Sequence, residues 1–281
     1  MGLALSTQFE RCPTGTRLLA ALYGISCGGP LVLSSLGLPT DAAVWRLFLC
    51  CTANVLGRRN LAPIILSVLY RPLGSGQDAL LALTELQMAV SFLPAREQEL
   101  GSLRFLLWLG MNSAGSNVLF LLFLKLYSKL SGYCAEFRSN QGPWSLAVIC
   151  LTLQALEHPH VRTNLLGLVE ISQKWYPLAI GLLLSALNGS VQWETFAAVL
   201  FAYIWRTFRL DRALPSSHTA AKLEDQLRLP GLLGMLGGHW VPATSRPPRQ
   251  PRQLREPRDA GRRVEPAGFR LFGGRGHRLS D

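Results

Sequence analysis

Charge is scarce in this chain of 281 residues: Asp, Glu, Lys and Arg make up 16% of it, against 49% hydrophobic residues. A soluble domain carries about a quarter charged residues, so the composition argues against a wholly solvated globular body. The scarcity is also uneven. Up to Trp205 there are thirteen Lys/Arg and ten Asp/Glu; from Arg206 onward there are fifteen and seven. A nearly neutral apolar body therefore carries a basic tail, and the two read as separate segments.

Histidine is rarer still, with five copies at His158, His160, His218, His239 and His277. None falls inside a long apolar run, and none clusters with the cysteines. The six cysteines (Cys12, Cys27, Cys50, Cys51, Cys134 and Cys150) form no Cys-x-x-Cys pair, so neither a zinc site nor a disulfide framework is expected. A buried serine without a nearby base stays a poor nucleophile. Gly24-Ile25-Ser26 and Ser145 therefore do not read as catalytic. Phosphate loops and paired catalytic carboxylates are also missing from the pattern. No catalytic residue, cofactor or metal is expected. The first 17 residues, with Glu10, Arg11 and Arg17, do not follow the plan of a cleavable signal peptide.

Long apolar runs are what the chain has in quantity. About 20 apolar residues cross a bilayer, and six candidate spans follow: Leu18–Leu38, Ala79–Leu93 stopped by Pro94, Leu103–Leu124, and then about 143–156, 175–187 and 191–208. Several are short, which means either a thin local bilayer or spans that extend a few residues beyond these bounds. Trp144, Trp175, Trp193 and Trp205 fall near span ends, where aromatic belts form. Between the first two spans, 41–71 mixes apolar stretches with Arg46, Arg58, Arg59 and Arg71, a pattern suited to the membrane interface. Glu85 in the second span, and Asn112, Ser113, Ser116 and Asn117 in the third, are polar groups that lipid does not solvate. All five are candidates for a polar path; the four in the third span read equally as ordinary hydrogen bonds between helices, and Glu85 either faces a polar interior or sits near a span end and reaches headgroup water. Six spans put both termini on one side, and the basic tail puts that side in the cytosol. The arginines of 41–71 then lie on the far side against the same rule, and snorkelling relieves only part of that conflict. The domain reading is a cytosolic amino terminus over 1–17, a membrane body over 18–208, a disordered basic linker over 209–271, and a terminal motif over 272–279.

That motif is Phe272-x-Gly274-x-Gly276-x-x-Leu279, two apolar anchors joined by glycines that let a backbone approach a partner closely. It resembles the SHP box, which docks on valosin-containing-protein-type AAA+ ATPases. The body carries a second, thinner resemblance. Pro13-x-x-Thr16-Arg17 before the first span, Trp45-Arg46 in the following loop, Tyr176-Pro177 at the fifth span, and Gly189-Ser190 with Glu194 at the sixth are similar to the derlin family of rhomboid-like pseudoproteases. Two features depart from it. Ala197, Phe201 and Ala202 stand where the family has Gly-x-x-x-Gly-His, and Phe201 should block the close helix approach those glycines allow. The loop over 46–78 is also longer.

The resemblance implies an all-α, six-span rhomboid-like bundle in the endoplasmic reticulum membrane, with both termini cytosolic. It implies a non-catalytic component of endoplasmic-reticulum-associated degradation that helps move misfolded proteins to the cytosol. The implied partners are the ATPase (through Phe272, Gly274, Gly276 and Leu279), misfolded substrates, ubiquitin-ligase subunits, other derlins and the lipid bilayer. Trp45 and Arg46 would anchor the interfacial loop, and Glu85, Asn112, Ser113, Ser116 and Asn117 would form the polar path. No specific nucleic acid is implied. Three alternatives stay open: a small transporter or channel built around Glu85; a scaffold whose basic tail binds anionic lipid or RNA; and the same machinery in a secondary plastid membrane.

Overall fold

The computed structural model of the chain describes residues 12–132, 134–157, 159–165, 169–187, 189–227 and 239–243. They are mostly helical, in chain order α1 (Thr14–Ser35), α2 (Asp41–Phe48), α3 (Ala62–Leu66), α4 (Gly76–Leu100), α5 (Ser102–Ser131), α6 (Trp144–Glu157), a hairpin of β1 (Arg162–Leu165) and β2 (Val169–Ser172), α7 (Tyr176–Leu187), α8 (Trp193–Thr207) and α9 (Ser217–Gln226). The hairpin is antiparallel, with Arg162 opposite Ser172 and Leu165 opposite Val169. Each of the six apolar segments forms a helix. Two of them, α1 at mean hydropathy 1.5 and α5 at 1.4, are long and apolar enough to cross a membrane.

Several boundaries moved. Pro94 was expected to stop the second apolar helix, yet α4 runs through it to Leu100. A proline inside a helix frees the carbonyl four residues back. Here that carbonyl belongs to Val90, and the Cys12 thiol donates to it at 4.0 Å. What ends α4 is Gly101, at φ 81, which turns the chain straight into α5. The segment after 209, expected to lack regular structure, forms a 3₁₀ turn and then α9. Ser216 caps α9 by accepting from the Thr219 backbone N–H, and Ala220 and Glu224, one turn apart, are buried. The expected linker is therefore ordered at 210–226 and again at 239–243.

The core lies where α4, α5, α6 and α8 meet. Phe105, Trp108, Leu146, Ile149, Ala198, Ala202 and Trp205 pack there. Helix α6, with Leu146–Cys150 all buried, is enclosed on several sides. Phe201 does not hold α8 away from α5, contrary to the sequence expectation. Its ring fills the space above Gly115, where an added Cβ would meet the ring carbon at 2.0 Å. The small residue that permits close approach is supplied by α5 instead of α8.

Beside this apolar core the bundle buries polar side chains and exposes apolar ones. Asn112, Asn117, Thr152, Thr195, Glu85 and Glu97 are buried. Leu22, Ile25, Leu31 and Val32 on α1, Leu80, Leu81 and Leu83 on α4, Leu122 and Leu126 on α5, Leu182 on α7 and Leu200 on α8 are exposed. Isolated exposed leucines are ordinary, whereas exposed apolar side chains recur here on five helices.

Candidate functional site

Three polar clusters organise the bundle. The first lies at the start of α1. Its cap residue is Pro13, which has no side-chain acceptor, and no acidic residue occupies the first turn. The free N–H groups of a helix start need partners from elsewhere. They find Glu97 from the far end of α4: Gly15 N and Thr16 N each donate to its carboxylate at 2.7 Å, Thr16 Oγ1 at 2.8 Å and Ser102 Oγ at 2.6 Å. The helix dipole favours a negative charge at this place. Ser102 extends the cluster: its N–H donates to Val241 O at 2.8 Å, and its Oγ accepts from Val241 N at 3.0 Å. Thr14 N donates to His239 O at 3.1 Å. Gly101 has no room for a side chain, because a Cβ would lie 2.7 Å from Ala243 Cα. The start of α1 and the segment 239–243 thus sit together at one end of the bundle.

The second cluster surrounds Glu85, whose carboxylate accepts from Arg71 Nε at 2.9 Å, from Arg71 Nη2 and from Tyr23 Oη at 2.8 Å. Arg71 N donates to Cys27 Sγ at 3.3 Å. Gly142, at φ 79, presses its Cα against the same carboxylate, where a Cβ would meet Oε2 at 2.2 Å. The sequence left open whether Glu85 reaches headgroup water or faces a polar interior. It is 6% exposed and faces Arg71.

The third cluster holds the long loop between α1 and α4 against α5. Asn117 Nδ2 donates to Ile64 O at 2.8 Å and Ser67 Oγ at 2.9 Å, and its Oδ1 accepts from Asn140 Nδ2 at 2.7 Å. Ser113 Oγ donates to Ile65 O at 3.1 Å. These carbonyls lie at the end of α3, where no helical partner remains. Asn112 Nδ2 and Ser116 Oγ donate to carbonyls of their own helix, at Trp108 and Asn112, both at 2.8 Å. Of the five residues proposed for a polar path, the four on α5 are at most 1% exposed: Ser113 and Asn117 are ties to the loop, Asn112 and Ser116 bond within α5, and among these four only Asn112 Oδ1 lacks a partner. Of this group, sequence reasoning missed Asn140, which reaches Asn117 from the loop before α6.

Trp45 and Arg46 lie on α2. The Trp45 ring sits 6.0 Å from the Phe137 ring, and the Trp45 carbonyl accepts from Asn54 Nδ2 at 2.6 Å. The Arg46 carbonyl accepts from Asn60 Nδ2. The aromatic residues near helix ends have specific partners. Trp144 Nε1 donates to Thr195 Oγ1 at 3.0 Å, and Trp205 Nε1 to Asp211 Oδ1 at 2.9 Å. Ser145 is buried at the start of α6, whereas His160 lies in the turn before β1 and His218 is exposed on α9. Glu194 opens α8. The motif Phe272, Gly274, Gly276 and Leu279, with most of the expected linker and the first eleven residues, lies outside the described residues. No protein-family model, curated protein or solved structure matches this chain.

Proposed function

We propose that this chain is a non-catalytic, derlin-like membrane protein that recruits a valosin-containing-protein-type AAA+ ATPase through Phe272, Gly274, Gly276 and Leu279 and assists the export of misfolded proteins from the endoplasmic reticulum. The observation that carries the reading is the four-position match of that terminal motif, attached to a bundle with polar groups inside and leucines outside. Helices α1, α4, α5, α6, α7 and α8 are the six spans. The start of α1 and the segment at His239 lie together through the Thr14 N–His239 O bond, which supports a tail and an amino terminus on one face. That is the arrangement a cytosolic motor requires.

Helix lengths add support. With 14, 12 and 15 residues, α6, α7 and α8 are roughly 18–22 Å long at 1.5 Å per residue. A hydrocarbon core is about 30 Å thick. Lipid around these helices must thin to match, or their ends must be covered by protein. Locally thinned bilayer lowers the barrier to a polar chain crossing it, which is the physical service such a component performs. Glu85 is held by Arg71 and Tyr23 on the protein side, which weighs against a transporter built on a free mid-membrane carboxylate.

The test is capture of the ATPase by the full chain, solubilised in mild detergent. Phe272→Ala together with Leu279→Ala is expected to abolish capture at constant expression. Undiminished capture removes the assignment, and capture that disappears with salt yet ignores Phe272 favours a basic scaffold. Imaging the tagged chain separates an endoplasmic reticulum membrane from a plastid one.

A further inference from the structure

The loop between α1 and α4 carries charge that the bundle does not use. Arg46, Arg58 and Arg59 are exposed, and none is in an ion pair among the described residues. Arg71, from the same loop, is satisfied by Glu85. Two of the three free arginines line one groove of about 300 Å3, together with Leu47, Asn54 and Asn60. The groove is built, not incidental. Asn54 is buried and ties the Trp45 and Leu49 carbonyls at 2.6 and 2.9 Å. Asn60 ties the Arg46 carbonyl and, at 3.4 Å, Asn54 Oδ1. Arg59, next to the groove in sequence, takes φ 55, a left-handed conformation uncommon for a non-glycine residue. These ties keep the end of α2 and the segment 58–60 in fixed relation, with Arg46 and Arg58 lining the same groove.

The surroundings name the ligand class. A guanidinium binds phosphate through two parallel N–H bonds, and two of them suit a phosphate that carries uncompensated charge. Leu47 lines the groove itself, and Leu56, Leu61 and Ile65, in the chain segments next to Arg58 and Asn60, are exposed, Leu61 at 68%. A soluble phosphate has no use for four exposed aliphatic side chains, whereas a phospholipid places acyl chains beside its headgroup. We infer that Arg46 and Arg58, on the groove formed with Asn54 and Asn60, bind the headgroup phosphate of an anionic phospholipid whose acyl chains lie along Leu47, Leu56, Leu61 and Ile65. The inference rests on the membrane reading above. It also accounts for the arginines on the face opposite the tail: a bound lipid, not an acidic side chain, neutralises them.

The experiment uses the full chain, purified in mild detergent and incorporated into nanodiscs of phosphatidylcholine doped with phosphatidylserine. Co-purified lipid is read by native mass spectrometry. Carbonate extraction of the source membranes is run first; release of the chain at that step sinks the membrane reading itself. If the chain stays integrated, one or more phosphatidylserine molecules should be retained in preference to phosphatidylcholine. Arg46→Gln with Arg58→Gln should weaken retention roughly thirtyfold, from the loss of two arginines at a membrane surface. Arg206→Gln, on α8 at the other end of the bundle, should leave it unchanged. Equal retention by the double variant, or no preference for the anionic lipid, overturns the inference. Displacement of the lipid by millimolar inorganic phosphate also overturns it, by making the ligand a soluble phosphate. Thermal unfolding of the double variant distinguishes loss of the site from loss of the fold: a parent-like midpoint with weakened retention supports the site, and a collapsed midpoint sends the test to Arg58→Gln alone, which should weaken retention roughly fivefold; parent-like retention by that single variant overturns the inference.

Discussion

Replacing Glu97 by Gln tests the structural account at its most connected point. The carboxylate accepts four hydrogen bonds, two from backbone N–H groups at the start of α1 and one each from Thr16 and Ser102. It is 0% exposed, so water cannot replace any of them. An amide keeps one acceptor oxygen and turns an NH2 group toward donors, so about half of the donors lose a partner. Bonds to a charged acceptor contribute about 1.5–3 kcal/mol each, and the lost charge removes about 0.3–2 kcal/mol of helix-dipole stabilisation. Because these effects overlap, the net loss expected for Glu97→Gln is about 3–5 kcal/mol. At 2–4 °C per kcal/mol the unfolding midpoint should fall by about 10 °C. The assay is thermal unfolding of the full chain in detergent, followed by tryptophan fluorescence. Ser102→Ala closes a double-mutant cycle, and its effect on the Glu97→Gln background should be smaller than alone by about 1 kcal/mol. A Glu97→Gln midpoint within about 2 °C of the parent, or strict additivity with Ser102→Ala, would refute the reasoning.

Other outcomes follow from the packing and the thiols. Gly115→Ala places a methyl group where the Phe201 ring lies, 2.0 Å away, and should cost at least about 1–3 kcal/mol; Phe201→Ala in the same chain should restore part of the loss, and failure of that rescue in thermal unfolding would break the proposed fit of α5 to α8. Glu85→Ala leaves the Arg71 guanidinium half-buried without its carboxylate and should destabilise by about 3–5 kcal/mol; Arg71→Ala with Glu85→Ala should cost less than Glu85→Ala alone, as measured by the same melts. Cys134 is exposed, whereas burial pushes the Cys50 thiol up to about 12 and raises that of Cys51. A maleimide at pH 7.5 should therefore label Cys134 in the folded protein and reach Cys50 only after unfolding; labelling of Cys50 as fast as Cys134 without denaturant would contradict its burial.

Much of the architecture was legible because apolar runs dominate this sequence. Ser102–Ser131 announces itself by length, and the tryptophans at 144, 193 and 205 mark helix ends. Contacts made over long sequence distances were not legible. Glu97 and Gly15 are 82 positions apart, and nothing near Glu97 shows that it serves another helix. The available signal was a deficiency: a helix starting at Pro13-Thr14 with neither a side-chain cap nor an acidic first turn must import an acceptor. Pro94 misled for a similar reason, since the carbonyl it frees is met by Cys12, a residue from outside the helix. Phe201 looked incompatible with close packing because only its own helix was considered; Gly115 supplies the space. Helix α9 was hidden by the basic composition around it, although Ser216-x-x-Thr219 and the 220/224 pair carry a cap and a buried face. The polar residues of α5 were correctly placed inside, but only the geometry of the 64–67 carbonyls shows that Ser113 and Asn117 serve as ties.

The central claim is that the terminal motif faces a cytosolic motor while the body is held in a bilayer. Protease accessibility of a tag fused after Asp281, in sealed endoplasmic reticulum vesicles, tests it most directly. The account predicts that the tag is digested without detergent, while fragments of the helical body remain protected. A tag that survives until the vesicles are opened would place the motif in the lumen, out of reach of the ATPase, and would contradict the account.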